Sequence, residues 1–559
     1  MQLTSLSLAL TRAGFLTFSP SSLFTAGEQG VWYDPSDTAT LFQDSAGTTP
    51  VTAVEQPVGL MLDKSKGLVL GGERVTNGTF DTNLTGWTLG TDAAQVIATW
   101  TASGVSITRG TGGNAGFQQD MSLTVGAWYS VKFTLVSGAN VAFGLAFSGA
   151  TASGAGEKTY IFQATGTTLR FWPAALSSTA VIDNISVREL PGNHAFQATS
   201  TSRPVLSARY NLLTKTEQFD DAAWNKTLSG TASAPSVTAN AATAPDGTTT
   251  ADRVQLSLNG GTTATDRALV NQSVTYTSGA TYTFSIWFRS RGSSVSMGIG
   301  ADGIVGNQPI TVTSAWQRFS FTAAAVSGSG TVWFQLRGGQ SPAHSNSADI
   351  EVWGADLRVS NDAAGQPAYQ RVNTATDYDT TGFKPYLRFD GTDDWLQTNS
   401  IDFTSTDKMT VFAGVRKLSD AATGVVAELS TTSSTTNGSF GLFAPAGAAS
   451  NFSFQSRGSV TVGATATSFA APITNVVTGT ADISGDSVIL RVNGTQAASS
   501  TADQGTGNYG NYPLYIGRRG GTTLPFNGRI YGLVIRGAAS TTSQIQQTEA
   551  WLNQRTGAF

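Results

Sequence analysis

The chain of 559 residues contains no cysteine. Disulfide staples, thiolate zinc sites and cysteine nucleophiles are thereby excluded. Its two histidines, His194 and His344, cannot make a three-histidine metal site within one chain. Charged residues are 13% of the sequence, about half the share usual in soluble domains. The formal net charge of -4 offers no electrostatic footing for nucleic acid. No run approaches the roughly 18 apolar residues of a membrane span, so membrane insertion is not expected. Gly-x-Ser-x-Gly and Walker loops are also missing.

What is present is a chain that is 40% hydrophobic and 10% aromatic, with 62 glycines. Its polar surface is built from Ser, Thr, Asn, Gln and Gly rather than from charge. That composition suits many short strands joined by tight turns. The spread of aromatic residues excludes a charge-rich disordered chain. The length points to about three to four domains.

Strand signals fill the C-terminal third. Leu387 and Phe389 alternate with Arg388 and Asp390, the period of a half-buried strand. Gly391 to Asp394 reads as a turn, and Trp395-Leu396 resumes an apolar run. Trp395 and, far upstream, Trp87 read as core residues. Met409 to Arg416 is a buried strand. Val488 to Val492 runs into an Asn493-Gly494 turn. Strands at Leu514 to Ile516 and Phe526 to Ile535 follow. The end reads as a helix: Ser540-Thr541 offers a cap, and Ile545, Thr548, Trp551 and Leu552 recur at helical spacing. Gly557 is its expected stop.

Upstream, Val31, Trp32 and Tyr33 form a strand ending at Asp34-Pro35. An Asp63-Lys64-Ser65-Lys66-Gly67 turn comes later. Gly192-Asn193-His194-Ala195-Phe196-Gln197-Ala198-Thr199 stands well beyond it, followed by Arg203-Pro204-Val205-Leu206. These pieces, with Leu387-Arg388-Phe389-Asp390-Gly391, resemble a laminin-G-like (concanavalin-like) jelly roll of tailed-phage virion proteins. Here they are pulled apart. The resemblance therefore implies one jelly roll in three pieces, residues 31–70, 191–209 and 361–559, behind an N-terminal arm, residues 1–30. Long insertions at surface turns are mild, because loop closure costs rise only logarithmically.

The two inserts, residues 71–190 and 210–360, look alike. In one, Tyr129, Val131, Phe133 and Leu135 share a strand face; in the other, Tyr282, Phe284, Ile286 and Phe288 do. An early Phe80 and Phe219, and late alternating strands ending at Arg188 and Arg358, complete the match. Both resemble carbohydrate-binding modules of the family 4/9 type. The expected fold class is all-β: three β-sandwich (jelly-roll) domains, the laminin-G-like one discontinuous, with a short C-terminal helix.

Glycan contact needs exposed aromatic faces and a few polar groups. Trp287 lies on the polar face of its strand, as does Trp128 on its own, with Lys132 nearby. These three are the candidate glycan-binding residues; burial at an interface is the competing reading for the tryptophans. The module resemblance implies a structural calcium (Ca2+) between first and last strands, with Asp81 and Asp183 at the matching positions. Two ordinary turn aspartates are the alternative. No catalytic residue is assigned. Asp393 and Asp394, as strand neighbours, are expected to face opposite ways, a poor glycosidase pair. The Glu-x-Asp-x-x-Glu strand of jelly-roll hydrolases is missing. His194 is expected to bond the backbone of its turn, and His344 falls in a loop.

The resemblance implies a non-enzymatic structural protein of a tailed-phage virion, a fibre, spike or decoration component, whose modules touch host cell-surface polysaccharide. A polysaccharide-degrading tail enzyme and a secreted bacterial adhesin are the alternatives. The N-terminus alternates Leu with polar residues and lacks a basic region ahead of them, so it is expected to dock rather than export. Residues 1–30 would join other virion proteins. The protein would be made in the host cytoplasm and released by lysis. A homo-oligomer is expected, with a trimer as one form.

Overall fold

The computed structural model describes residues 18–25, 27–90, 95–111, 116–146, 149–360 and 365–559. More than half of the N-terminal arm, residues 1–17 and 26, falls outside them. Among the described residues the regular structure is strand, apart from short 3-10 turns and one helix, Thr542–Thr556.

Two large antiparallel sheets form the jelly roll. In the eight-stranded sheet, Val205–Ser207 pairs with Tyr386–Asp390, which pairs with Asn527–Arg536. Gly30–Tyr33 pairs with the other half of Asn527–Arg536, from Gly30 opposite Arg536 to Tyr33 opposite Leu533. The nine-stranded sheet begins Leu41–Phe42, Leu60–Met61, Ala195–Phe196, Leu396–Asp402 and continues through Asn511–Ile516 to Thr461–Thr467. Both sheets therefore draw on the same three distant stretches of chain. They close over one core in which Val31 and Tyr33 pack with Leu206, Leu387, Phe389 and Ile535. Gly30 is required there, because a Cβ would run into the Ile535 carbonyl.

The helix covers the outer face of the eight-stranded sheet. Trp551 and Leu552 pack on Trp32, Phe412, Val476 and Val534. Its start is a capping box: Gln544 N–H donates to Thr541 Oγ1 and the Gln544 side chain accepts from Thr541 N–H. It stops at Gly557, which takes the left-handed conformation at φ 61°.

Each insert is a sandwich of two five-stranded sheets with its own core. Their connectivity is the same. One sheet of the first runs Gly156–Gln163, Trp128–Gly138, Ser178–Glu189, Gly104–Arg109, Val96–Thr101. Its counterpart in the second runs Gln317–Ala324, Thr281–Ser290, Ser347–Val359, Ala251–Ser257, Ser233–Ala242. The cores match residue for residue along the second strand of that order: Tyr129, Val131, Phe133 and Leu135 against Tyr282, Phe284, Ile286 and Phe288. Even the polar pins repeat. Tyr129 Oη accepts from Thr124 N–H and Tyr282 Oη from Thr277 N–H. The Gln119 side chain exchanges two hydrogen bonds with the Thr76 backbone, and Gln272 does the same with Thr214.

Both sandwiches are seated firmly on the jelly roll. At the first junction, Trp128 packs with Leu60, Leu62, Ile161 and Leu190. Asn399 accepts from the Gln163 amide and donates to the Gly126 carbonyl. His194 stands beside Trp128, with ring centroids 5.5 Å apart. Its Nδ1 accepts from Asp63 N–H at 2.9 Å and its Nε2 donates to the Leu190 carbonyl at 3.2 Å. Burial lowers its pKa to about 4, so the ring is neutral at pH 7. At the second junction the Gln370 amide bonds the backbone of Ala208, Tyr210, Asn211 and Asp379. A buried bidentate pair, Arg358 to Asp356, holds the returning chain: Arg358 donates to the Pro367 carbonyl, and Asp356 accepts from Gln370 N–H.

Candidate functional site

One cleft lies on the first sandwich and follows from strand periodicity. Along Trp128–Gly138, alternate side chains fill the core, so Trp128, Ser130, Lys132 and Thr134 point outward. The Trp128 end of this outer face is covered by the jelly roll. Past that junction the face opens into a groove of about 560 Å³.

Lys132 lies on its floor. Cross-strand pairing sets Thr159 and Ser186 opposite Lys132, and Glu157 opposite Thr134. Lys132 Nζ lies 2.7 Å from a Glu157 carboxylate oxygen, and both side chains stay half exposed. One wall is the chain entering from the jelly roll, including Leu70, Glu73 and Val75. Glu73 anchors that wall. It accepts from Ser186 Oγ at 2.6 Å, Val187 N–H at 2.8 Å and Arg188 Nε at 3.2 Å. Burial pushes its carboxyl up, but these bonds and one from Val75 N–H outweigh it and hold it below the usual range. The groove thus presents an ammonium, a guanidinium, two carboxylates and the Asn184 amide, all but Glu73 carried on strands.

The other expected site residues land elsewhere. Trp128 is 3% exposed and belongs to the junction with the jelly roll, so it is not a glycan platform. Its strand position put it on the outer face; the docked jelly roll then covered that face. Trp287 is half-buried rather than displayed. With Trp316, Trp353 and Tyr369 it forms a satellite cluster on the outside of its sheet. Trp316 reaches over to donate to the Thr243 carbonyl, and Tyr369 of the returning chain packs 4.6 Å from Trp353. Trp395 is not in the core either. It lies half-buried on the outer face of the nine-stranded sheet, 5.9 Å from Tyr515 and against Gly521. Trp87 is in the core of the first sandwich.

Asp81 is exposed and accepts from Thr79 Oγ1; Asp183 accepts from Asn184 N–H. Two such carboxylates supply a minority of the six to eight oxygens that calcium takes. Among the described residues one group of three potential ligands converges: Asp390, Asp393 and Asp394, with carboxylate oxygens within 4.8 Å of one another. Asp390 ends its strand, while Asp393 and Asp394 occupy the turn that follows, which is why these two neighbours do not face opposite ways. Each already serves the turn. Asp390 accepts from Thr392 and Asp393 N–H, Asp394 from Asp390 N–H, and Asp393 from Ser202 Oγ. Burial, with Asp390 and Asp393 adding to it, raises the Asp394 carboxyl to about 7. Three acids on one side of one turn do not flank a cleft as a glycosidase pair must.

His344 parallels His194. Its Nδ1 accepts from Arg337 N–H at 3.0 Å, and burial lowers it to about 4, helped by the Arg337 charge. The sequence reading missed Glu73, Glu157, Arg188 and Asn184, because cross-strand register is what gathers them around Lys132. The alternation of Glu157 and Thr159 with Lys158 and Tyr160 was the available signal.

Comparison with known proteins places part of this architecture. Residues 390–546 match a laminin G family model described as Concanavalin A-like lectin/glucanases superfamily. No curated protein matches the chain. Among solved structures, the CBM40 of Ruminococcus gnavus IT-sialidase bound to alpha2,3 sialyllactose is similar at 16% identity and a TM-score of 0.23, over 27% of this chain and 97% of that one. The CBM22-1-CBM22-2 tandem of Paenibacillus barcinonensis Xyn10C is similar at 11% identity and a TM-score of 0.23, over 52% and 98%. A heptameric SAP-like pentraxin from Limulus polyphemus aligns at 13% identity and a TM-score of 0.24, over 29% and 79%. Likeness at this level transfers no ligand. The family match stands for the last piece of the jelly roll, which carries the Asp390 turn and the strands that follow it.

Proposed function

We propose that this chain is a non-catalytic β-sandwich assembly that binds glycans through the groove of its first sandwich. The observation that supports this most directly is the floor of that groove: Lys132 and Glu157, paired at 2.7 Å and half exposed, beside Asn184 and Arg188. A sugar offers hydroxyls that both donate and accept. Lys132 and Arg188 donate, Glu157 accepts, and the Asn184 amide does both. The same carboxylates argue against hydrolysis. A retaining or inverting glycosidase needs one carboxylic acid that holds a proton near neutral pH. Glu73, one of the two carboxylates of the groove, is held ionised by its donors.

Within this reading the chain is a structural component of a tailed-phage virion, attached to other virion proteins through residues 1–30 and displaying its sandwiches to host polysaccharide. That finer assignment rests on the sequence resemblances of residues 31–70 and 191–209. Labelling intact particles with an antibody to this chain tests it; particles that carry none of it would remove the assignment. The glycan reading is tested on an array of bacterial polysaccharides with wild type, Lys132→Ala and Glu157→Gln. Binding by wild type and a drop of about tenfold or more in each variant are expected. Wild type without a glycan ligand, or variants that bind as well, would refute it.

A further inference from the structure

We infer that the strand Val96–Thr101 of the first sandwich is an interface that pairs, edge to edge, with the same strand of a second copy of this chain. The strand reads Val-Ile-Ala-Thr-Trp-Thr. It pairs with Gly104–Arg109 on one side, and among the described residues no backbone pairs with its other side. A free edge offers a row of unused N–H and C=O groups, and proteins guard such edges with charge, proline, bulges, cover or short length.

Among the described residues the other sheet edges are guarded. Gly156–Gln163 carries Glu157 and Lys158, Asn225–Ser229 carries Lys226, and Gln317–Ala324 carries Arg318. Val305–Val312 carries Pro309. The outermost strands Thr88–Leu89, Ala150–Ala152, Leu41–Phe42 and Val205–Ser207 have at most three residues. Gly30–Tyr33 is buried throughout. Thr461–Thr467 and Thr495–Ser500, the last strands of the two jelly-roll sheets, lie against each other. The sibling sandwich makes the sharpest comparison. At the same place in the same topology, Ser233–Ala242 carries Pro235 and two register shifts. Val96–Thr101 has no charge, no proline and no shift. It also leaves Ile97 65% exposed, and Trp100, whose indole N–H donates to the Phe80 carbonyl, 40% exposed.

The occupant follows from self-complementarity. A two-fold axis normal to the sheet, passing through Ala98 or Thr99, pairs the strand with itself antiparallel and keeps each face on its own side. Centred on Ala98, it sets Ile97 opposite Thr99 and Val96 opposite Trp100 of the second copy. No charge meets a like charge on the way. Two five-stranded sheets then become one continuous ten-stranded sheet, and the contact closes at two copies because it is isologous.

The natural absence of cysteine makes the test clean. In an antiparallel ladder, directly opposed residues lie about 4.5–5.5 Å apart at Cα, within disulfide range. Under mild oxidation, Ala98→Cys or Thr99→Cys, whichever lies on the axis, is expected to form covalent dimers about tenfold faster than Val326→Cys. Val326 is 79% exposed and remote in sequence. Wild type is expected to shift from monomer to dimer in sedimentation velocity between about 5 and about 200 µM, and Thr99→Lys to remain monomeric. A wild type that stays monomeric throughout, a mass that passes the dimer, or cross-linking no faster than the Val326→Cys control would each overturn the inference. No glycan enters these measurements, so their outcome is independent of the groove.

Discussion

Acidification should weaken the junction at His194 by an amount the structure sets. The ring is fully buried and held neutral, with a pKa lowered to about 4 from the ordinary 6.5. In the unfolded chain it takes a proton below about pH 6.5. The folded chain refuses that proton until about pH 4. Stability is therefore untouched above pH 6.5, falls as the pH drops through the window between the two values, and levels off below it. The full loss is about 3 kcal/mol, at 1.36 kcal/mol per unit. Other groups oppose it. Asp394, raised to about 7, and Asp252, raised to about 6, favour the folded state as pH falls, since their folded forms bind the proton more tightly.

A difference measurement removes them. In His194→Asn the amide oxygen can still accept from Asp63 N–H, but nothing titrates. The buried Asp63 carboxyl, raised by burial and held by Trp32, Ser65 and Asn193, is common to both proteins. At about pH 7.5 the variant should be less stable by about 1–3 kcal/mol, having lost the bond to Leu190 and contact with Trp128. By about pH 4.5 that deficit should shrink by about 2.5 kcal/mol. Urea titrations followed by tryptophan fluorescence read the change, because Trp128 lies beside the ring. Hydrogen exchange of peptides spanning residues 60–66 and 190–198 assigns it to the junction rather than to another domain. A deficit that stays constant across this range would show that the ring is not held neutral, and the argument would fail.

Trp128→Ala should cost about 3–5 kcal/mol at the same junction while leaving the core of the sandwich folded, visible as loss of exchange protection at Leu190 before Phe133. Asp356→Ala strands the Arg358 guanidinium in a site where its side chain is 4% exposed; a loss of about 3–5 kcal/mol is expected in thermal unfolding of the second sandwich. Thr541→Ala removes the capping box of Thr542–Thr556 and should lower stability by about 1 kcal/mol, read as a small midpoint shift in urea.

Much of this fold was legible in the residues because strand periodicity is a local property. The alternation at Tyr129–Leu135 and Tyr282–Phe288 named the core residues of both sandwiches, and Thr541 and Gly557 marked the ends of the helix. The split jelly roll was legible through short motifs whose spacing had been stretched. The candidate site was less so. Of its groove, Lys132 alone was visible, since cross-strand register brings Glu157, Ser186 and Arg188 to it from strands far along the chain.

The tryptophans draw the line between the two kinds of information. Alternation along one strand decides which side of the sheet a residue faces, and it placed Trp128 and Trp287 correctly on the outer side. What meets that side is decided elsewhere: the jelly roll covers Trp128, and the strand-end segments carrying Trp316 and Tyr369 cover much of Trp287. The face of a side chain is set by its neighbours in sequence. Its exposure is set by parts of the chain that arrive only when the domains pack.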